Sequence, residues 1–446
     1  MPSDRRAIVV VTEGATPRLL DRWCAEGRLP AFARLRTLGA GGALRADGVP
    51  YEPPGLLSLL TGARPGDHGF HSYWSCHSPD YRPAVLGSRE RRLPLLWQRP
   101  EFADLRFASV GLFGTHPAEP FDGWLITYPM RPTLRGCHPR ELQRELDREG
   151  IRPVHDVSVW WDGGPRASVL QRLLEADRRR AAAAEHLHDR GADVTVVNLT
   201  AIDRTSHIFW QELEREDADP SHSAVFDAYK TADDVLGRML RRLDGRTTLI
   251  AFSEIGFGPV RSYCSINDAL ASAGLLTHDA DGRVDFGASR AFEAVQGTHG
   301  VNVNLTGRYE RGTVSPDDYE TARKDVAEAL LGAINPRTGL PLVRSVSPRE
   351  EVYPGSATEL APDLVLEPHD WRYLPLGDPS WAHHVHRTWQ SGWHRPDSYW
   401  AALGPDTGTA LPGAAPARPV DMAATLAAAL GREVPPWCSG RALITC

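Results

Sequence analysis

Residues 7–12 (AIVVVT) form a continuous apolar run that stops at Glu13 and Gly14, the pattern of a strand buried on both faces. The segment that follows, LLDRWCAEGRLPAFARLRTLG, spaces its apolar residues at helical intervals and closes on a glycine, which predicts a helix. The same alternation recurs downstream. Residues 166–190 read as a long helix rich in Ala, Arg and Leu, and ADVTVVNLTAID reads as a strand running into Asp203. Residues 223–244 read as helix, followed by a strand, TTLIAFSE, that runs into Glu254. Strands alternating with helices in this way predict a mostly parallel sheet covered on both faces.

Glu13, Asp203 and Glu254 each fall at or just past a predicted strand end. Ligands of open α/β sheets bind beyond the carboxyl ends of the strands, so acids far apart in sequence can converge there. Residues from about 285 to 375 have a different texture: VNVNLTG, a helix over 315–334 and LPLVRSVSP predict a smaller strand–helix–strand unit. The expected organisation is an α/β metal-binding core over 1–284, an inserted cap over 285–375, and a return to the core over 376–446. Within that return, GPDTGTALPGAAPARP (404–419) reads as a loop and 420–431 as a last helix.

Composition narrows the class. The 446 residues are 41% hydrophobic and 24% charged, ordinary for a globular chain with a substantial core. A net charge of −7 without a basic run argues against general nucleic-acid binding. Lys230 and Lys324 are the only lysines and neither follows a glycine, which excludes a P-loop. No apolar stretch approaches the ~18 residues of a membrane-spanning helix, and the run in MPSDRRAIVVVTEG is too short for a secretory signal. Cys24, Cys76, Cys137, Cys264, Cys438 and Cys446 are scattered without CxxC spacing, so a cytoplasmic protein with reduced thiols is expected. The expected partner is a small-molecule substrate, and the sequence carries no signal for oligomeric state.

The words TEGATPRLLDRW, LLSLLTGARPGDHGF, DRTSHIFW, FSEIGFGP and SGWHRPD follow one another along nearly the whole chain. Jointly they resemble the alkaline phosphatase superfamily, in its type I phosphodiesterase and phosphomutase-like branch. The resemblance implies an α/β sandwich of the alkaline phosphatase type with a small inserted cap. It also implies a dinuclear metal site in two halves. One ion would be held by Asp203, His207 and His394, the other by residues 13, 52, 254 and 255, with residue 52 also the nucleophile. The branch is expected to carry Asp at 13, Thr or Ser at 52, and Asp-His at 254 and 255. This chain has Glu13, Glu52, Glu254 and Ile255.

The first half is intact. Asp203 and His207 are four apart at the start of a predicted helix, so both side chains can face one point. With His394 they make two histidines and one carboxylate, a set suited to zinc, manganese or iron. In the second half the nucleophilic hydroxyl is missing, yet drift is expected to leave neutral and apolar residues rather than three glutamates. Counted together, Glu13, Glu52, Asp203 and Glu254 with His207 and His394 resemble the ligands of carboxylate-bridged di-iron and di-manganese proteins. Four negative charges would neutralise two divalent ions and favour iron or manganese over zinc.

Phosphoryl transfer through Thr or Ser is thereby set aside, and three readings remain. The leading one is hydrolysis of a phosphate-type ester by metal-bound hydroxide, with Glu52 the candidate catalytic residue. The next is oxidative or other non-phosphoryl chemistry at a di-iron or di-manganese site, and the last is a non-catalytic binding protein. His116 in GTHPAEP, His299 in GTHG and Arg395 are candidate substrate-binding residues. His383, His384 and His386, with Trp381, Trp389 and Trp393, are further candidates for a pocket wall, although a loop histidine reads first as a solvated or hydrogen-bonded side chain. Ser58 reads as a helix residue rather than a replacement nucleophile.

Overall fold

The computed structural model describes residues 4–130, 133, 136–152, 164–215, 219–375, 390–405, 407 and 415–445. His383, His384, His386, Trp381 and Trp389 lie outside these residues. The chain divides into two compact units, the first drawn from Met1–Ala63, Gly87–Gly258 and Trp389–Cys446, the second from Arg64–Leu86 and Pro259–Thr388.

The first unit is built on an eight-stranded sheet. Its order is Ala40–Arg45, Asp397–Leu403, Thr247–Phe252, Arg6–Thr12, Val194–Leu199, Phe107–Val110, Gly123–Ile126, Cys137–His138. The five strands from Thr247–Phe252 to Gly123–Ile126 run parallel, with Val9 in register with both Val196 and Ile250. Asp397–Leu403 is antiparallel to both its neighbours, and Cys137–His138 is antiparallel at the far edge. Ala7 to Thr12 are all buried, which is why this strand shows no polar alternation.

Helices cover both faces, as expected. On one, Ile8 and Val10 share a core with Leu20, Trp23, Phe32, Leu173, Tyr229 and Leu236. There the Trp23 ring meets Phe226 and Tyr229 edge-on, at centroid distances of 5.0 and 4.9 Å. On the other, the helix Asp421–Ala429 packs against the helix Glu52–Thr61 and the first strand. The single helix expected after the first strand is two, Pro17–Ala25 and Pro30–Leu38. Gly27 takes a left-handed φ of 71° after the first, and Pro30 opens the second where its missing N–H costs nothing. The apolar spacing is continuous across the break, so periodicity alone cannot mark it.

The second unit carries a four-stranded antiparallel sheet in the order Ala291–Glu293, Gly300–Val303, Leu364–Pro368, Val343–Pro348. Helices Ile266–Ser272 and Tyr319–Gly332 close its core through Ile266, Leu270, Val326 and Leu330. It begins at Pro259 rather than near 285, because the apolar face of Ile266–Ser272 belongs to that core. It also takes in Arg64–Leu86, where Tyr81 stacks on Phe286 at 3.7 Å and on Tyr309 at 5.1 Å. Among the described residues no helix is long and apolar enough to cross a membrane, and Cys24, Cys76, Cys137, Cys264 and Cys438 are free thiols.

One helix of the first unit has a special constraint. Glu52–Thr61 opens on Pro53 and Pro54, whose fixed φ suits a first turn, and stops at Gly62 with a left-handed φ of 67°. At Gly55 its backbone approaches Glu254 so closely that an added Cβ would lie 2.4 Å from the Glu254 Cβ. Gly55→Ala is therefore expected to destabilise the protein by about 1–3 kcal/mol through overpacking, despite the ~0.5–1 kcal/mol that alanine contributes at an open helix position. Urea unfolding measures this; a variant more stable than the parent would show that the approach is not that close.

Candidate metal centre

The parallel strands deliver their acids to one edge of the large sheet. Glu13 directly follows Arg6–Thr12, and Glu254 stands two residues beyond Thr247–Phe252. After Val194–Leu199 the chain turns into the helix Ala201–Phe209, with Asp203 in its first turn and His207 one turn on. His394 reaches the same edge from the opposite direction. It lies in Gly392–Arg395, immediately before Asp397–Leu403, and an antiparallel strand starts where its parallel neighbours end. Glu52 opens its helix at residue 52.

These elements bring one donor atom each from Glu52, Asp203, His207 and His394 within 4.8 Å of one another, all four residues being buried. His394 Nε2 lies 3.1 Å from Asp203 Oδ1 and 3.1 Å from His207 Nε2. His207 Nε2 is 3.5 Å from the same Asp203 oxygen. Ligands about 2.0–2.1 Å from a tetrahedral ion stand roughly 3.3–3.4 Å apart, so this triangle has the edge lengths of a coordination shell. His207 Nδ1 donates to the Gly392 carbonyl at 3.1 Å, which leaves the Nε2 lone pair pointing into the triangle. Burial brings the His207 imidazole down to about 3, so the ring is in its neutral, ligating form near pH 7. Burial pushes the Asp203 carboxyl up, but His207, Arg204 and His394 outweigh it and hold the group well below the usual carboxylate range. The donor set and its spacing fit a divalent ion. The Trp393 ring closes one side, 4.6 Å from His207 and 4.8 Å from His394.

Arg204 stands among the residues expected to form the second half. Its Nη1 lies 2.5 Å from Asp203 Oδ2, 3.6 Å from Glu52 Oε1 and 3.8 Å from Glu13 Oε1. Its Nη2 donates to the Tyr128 hydroxyl at 2.9 Å. Glu13 accepts on its other oxygen from Asn198 Nδ2 at 2.7 Å. Neither carboxylate oxygen of Glu254 is hydrogen-bonded to another described residue, and Ile255 is fully buried. Burial, followed by the charge of Asp203, pushes Glu13 well above the usual range against the opposing pull of Arg204. Burial also raises Glu254, with Glu52 and Asp203 adding to it, and it raises Glu52 against the pull of His394. The sequence reading missed Arg204. Its one signal is its place beside Asp203 in DRTSHIFW, but neighbouring helix residues point in different directions, so spacing gives no hint that the guanidinium folds back.

The remaining candidates each have their own surroundings. His116 is half-buried, with Nδ1 3.1 Å from the Thr127 hydroxyl. His299 belongs to the second unit, where it is buried with a left-handed φ of 46° and its ring 5.7 Å from Trp371. Arg395 turns back on its own strand and donates to the carbonyls of Trp393 and His394 at 3.0 and 2.8 Å. Ser58 is buried within Glu52–Thr61.

Solved structures share this fold across almost the entire chain. Phosphonoacetate hydrolase from Sinorhizobium meliloti 1021 in complex with phosphonoformate is 16% identical, with 96% of each chain covered and a TM-score of 0.63. Murine ectonucleotide pyrophosphatase / phosphodiesterase 5 is 14% identical, with 97% of this chain and 96% of that chain covered and a TM-score of 0.57. A quadruple mutant of the alkaline phosphatase PafA is 14% identical, with 99% and 98% covered and a TM-score of 0.64. At these identities the likeness establishes an alkaline-phosphatase-type fold, and no curated protein sequence matches the chain. The model of the type I phosphodiesterase / nucleotide pyrophosphatase family matches residues 7–397, and the chain belongs to that family.

Proposed function

We propose that this protein is a metal-dependent hydrolase of small phosphate-type esters, with its ion held by Asp203, His207 and His394. The observation that carries this reading is the buried triangle of His394 Nε2, His207 Nε2 and Asp203 Oδ1, with sides of 3.1, 3.1 and 3.5 Å. A divalent ion, when bound, supplies Lewis acidity toward a phosphoryl oxygen and lowers the pKa of water. Two imidazoles with carboxylates accept zinc as well as manganese or iron. The Gly392 carbonyl orients His207, and the Trp393 ring shields both histidines from bulk water.

Glu52 replaces the hydroxyl nucleophile expected at this position. A carboxylate between Arg204 and His394 is a poor nucleophile but a competent proton acceptor. Burial raises its pKa above the ordinary glutamate value, against the pull of His394, and a higher pKa makes a stronger general base. We assign Glu52 Oε2, 3.8 Å from His394 Nδ1, to take a proton from the water that attacks phosphorus, so no covalent Ser or Thr ester forms. The di-iron or di-manganese reading would need a second redox ion beside Glu13 and Glu52, where the Arg204 guanidinium stands at 3.8 and 3.6 Å. That placement argues against dinuclear oxidative chemistry.

Elemental analysis of the purified protein, alongside assays on nitrophenyl phosphodiester, pyrophosphate and phosphonate substrates, tests the reading. His207→Ala is expected to weaken the ion by more than the ~10–100-fold typical of losing a supporting partner, with hydrolysis lost in parallel. Bound metal with no turnover of any of these substrates would point to a binding protein instead. Glu52→Gln is expected to lower kcat by about 10²–10⁴ while the ion stays bound. Full activity in that variant would remove Glu52 from the mechanism. Glu52→Thr alone should not give strong phosphodiesterase activity, because Ile255 still lacks a ligand atom.

The metal-free protein has its own signature. Glu13 and Glu254 have raised folded-state pKa values, so they contribute stability that is full below the ordinary glutamate range. That contribution is lost as pH rises through the raised values. Metal-free Glu254→Gln should therefore melt above the parent at about pH 8, with the difference shrinking toward about pH 5. A difference independent of pH, read by calorimetry on chelator-treated protein, would show that Glu254 does not titrate in this range.

A further inference from the structure

We infer that Arg204 is a built-in cation occupying the second half of the site, so that this protein holds one metal ion per chain where two were expected from the carboxylate count. The inference rests on the metal reading above and deepens it. One guanidinium nitrogen faces oxygens of Asp203, Glu52 and Glu13 at 2.5, 3.6 and 3.8 Å. Glu13 and Glu52 are two of the residues that a second ion would need. The side chain of Arg204 is 12% exposed, and its other terminal nitrogen is anchored on the Tyr128 hydroxyl at 2.9 Å, so the guanidinium is held in place from both ends.

Glu13 and Glu52 stand at ion-pair distance from this fixed cation. Glu13 has one oxygen toward Arg204 and the other on the Asn198 amide, which employs its two oxygens separately. Ile255 offers no ligand atom at the position where a histidine was expected. Charge agrees with geometry. A divalent ion and a guanidinium, always protonated in proteins, bring three positive charges to face the carboxylates of Asp203, Glu52 and Glu13. Glu254 is the remaining acid, buried without a hydrogen bond to another described residue. A second divalent ion would have to displace the guanidinium or sit against it, at a severe Coulombic cost in a buried site.

Equilibrium dialysis of the full chain against zinc or manganese, with the metal counted by mass spectrometry, reads this directly. The parent and Arg204→Lys are expected to bind one ion per chain. Arg204→Ala is expected to admit a second, and Arg204→Ala with Ile255→His to bind that second ion about tenfold tighter or more. Two ions in the parent, or a single ion in Arg204→Ala, would overturn the inference while leaving the metal reading intact. No ion in the parent would overturn the metal reading itself. Should Arg204→Ala fail to fold, the parent and Arg204→Lys stoichiometries still decide the matter.

Discussion

Four carboxylates are buried at one edge of this sheet, and nearly everything distinctive about the site follows from the need to neutralise them. Removing a carboxylate from water costs several kcal/mol unless a cation or hydrogen-bond donors replace the solvent. Asp203 has both kinds of relief, with two imidazoles on one oxygen and the Arg204 guanidinium on the other. Its carboxyl is accordingly held in the ionised form. Glu13 and Glu254 have less compensation, and their raised proton affinities record the deficit. A gradient therefore runs across the site, from a well-satisfied acid beside the histidines to a poorly satisfied one beside Ile255.

The scaffold makes this concentration of charge possible by supplying its ligands from separate elements. Parallel strands set Glu13, Asp203 and Glu254 past one edge, and the antiparallel return of the chain through Asp397–Leu403 lets His394 meet them from the far end of the sequence. Two of these side chains are fixed by packing that they do not themselves provide: the Gly392 carbonyl holds the His207 ring, and Gly55 gives Glu254 room against the neighbouring helix. Rigid second contacts of this kind are what keep an ion site in shape.

Much of this was legible in the sequence, for identifiable reasons. A strand buried on both faces appears as an unbroken apolar run, so Arg6–Thr12, Val194–Leu199 and Thr247–Phe252 were readable together with the acids beyond them. The helical spacing of Asp203 and His207 was readable too, whereas His394 was visible only through the resemblance. What stayed hidden depends on tertiary placement. The break between Pro17–Ala25 and Pro30–Leu38 lies inside continuous apolar spacing, and the second unit gains Arg64–Leu86 through ring stacking that no local pattern encodes. Arg204 was hidden because arginines are common in this chain, and a side chain's return toward its own neighbour leaves no period behind.

Arg204 also changes what the departures from the family pattern mean. Taken singly, glutamate at 13, 52 and 254 and isoleucine at 255 resemble losses from a metal site, or else an enrichment in ligands for a second pair of metals. Both interpretations treat the positions as ligands to an ion. If the positive charge belongs to a guanidinium, different residues are favoured. Ion pairing to a planar, fixed cation, at 3.6 Å from Glu52 and 3.8 Å from Glu13, needs only a carboxylate within reach, and it makes no use of a histidine that would ligate through a lone pair. On this account the second half keeps its charge and exchanges its chemistry. On the proposed reading, Asp203, His207 and His394 stay as ligands because an arginine has no vacant coordination position to offer a phosphoryl oxygen or a water, and one centre with such a position would serve hydrolysis.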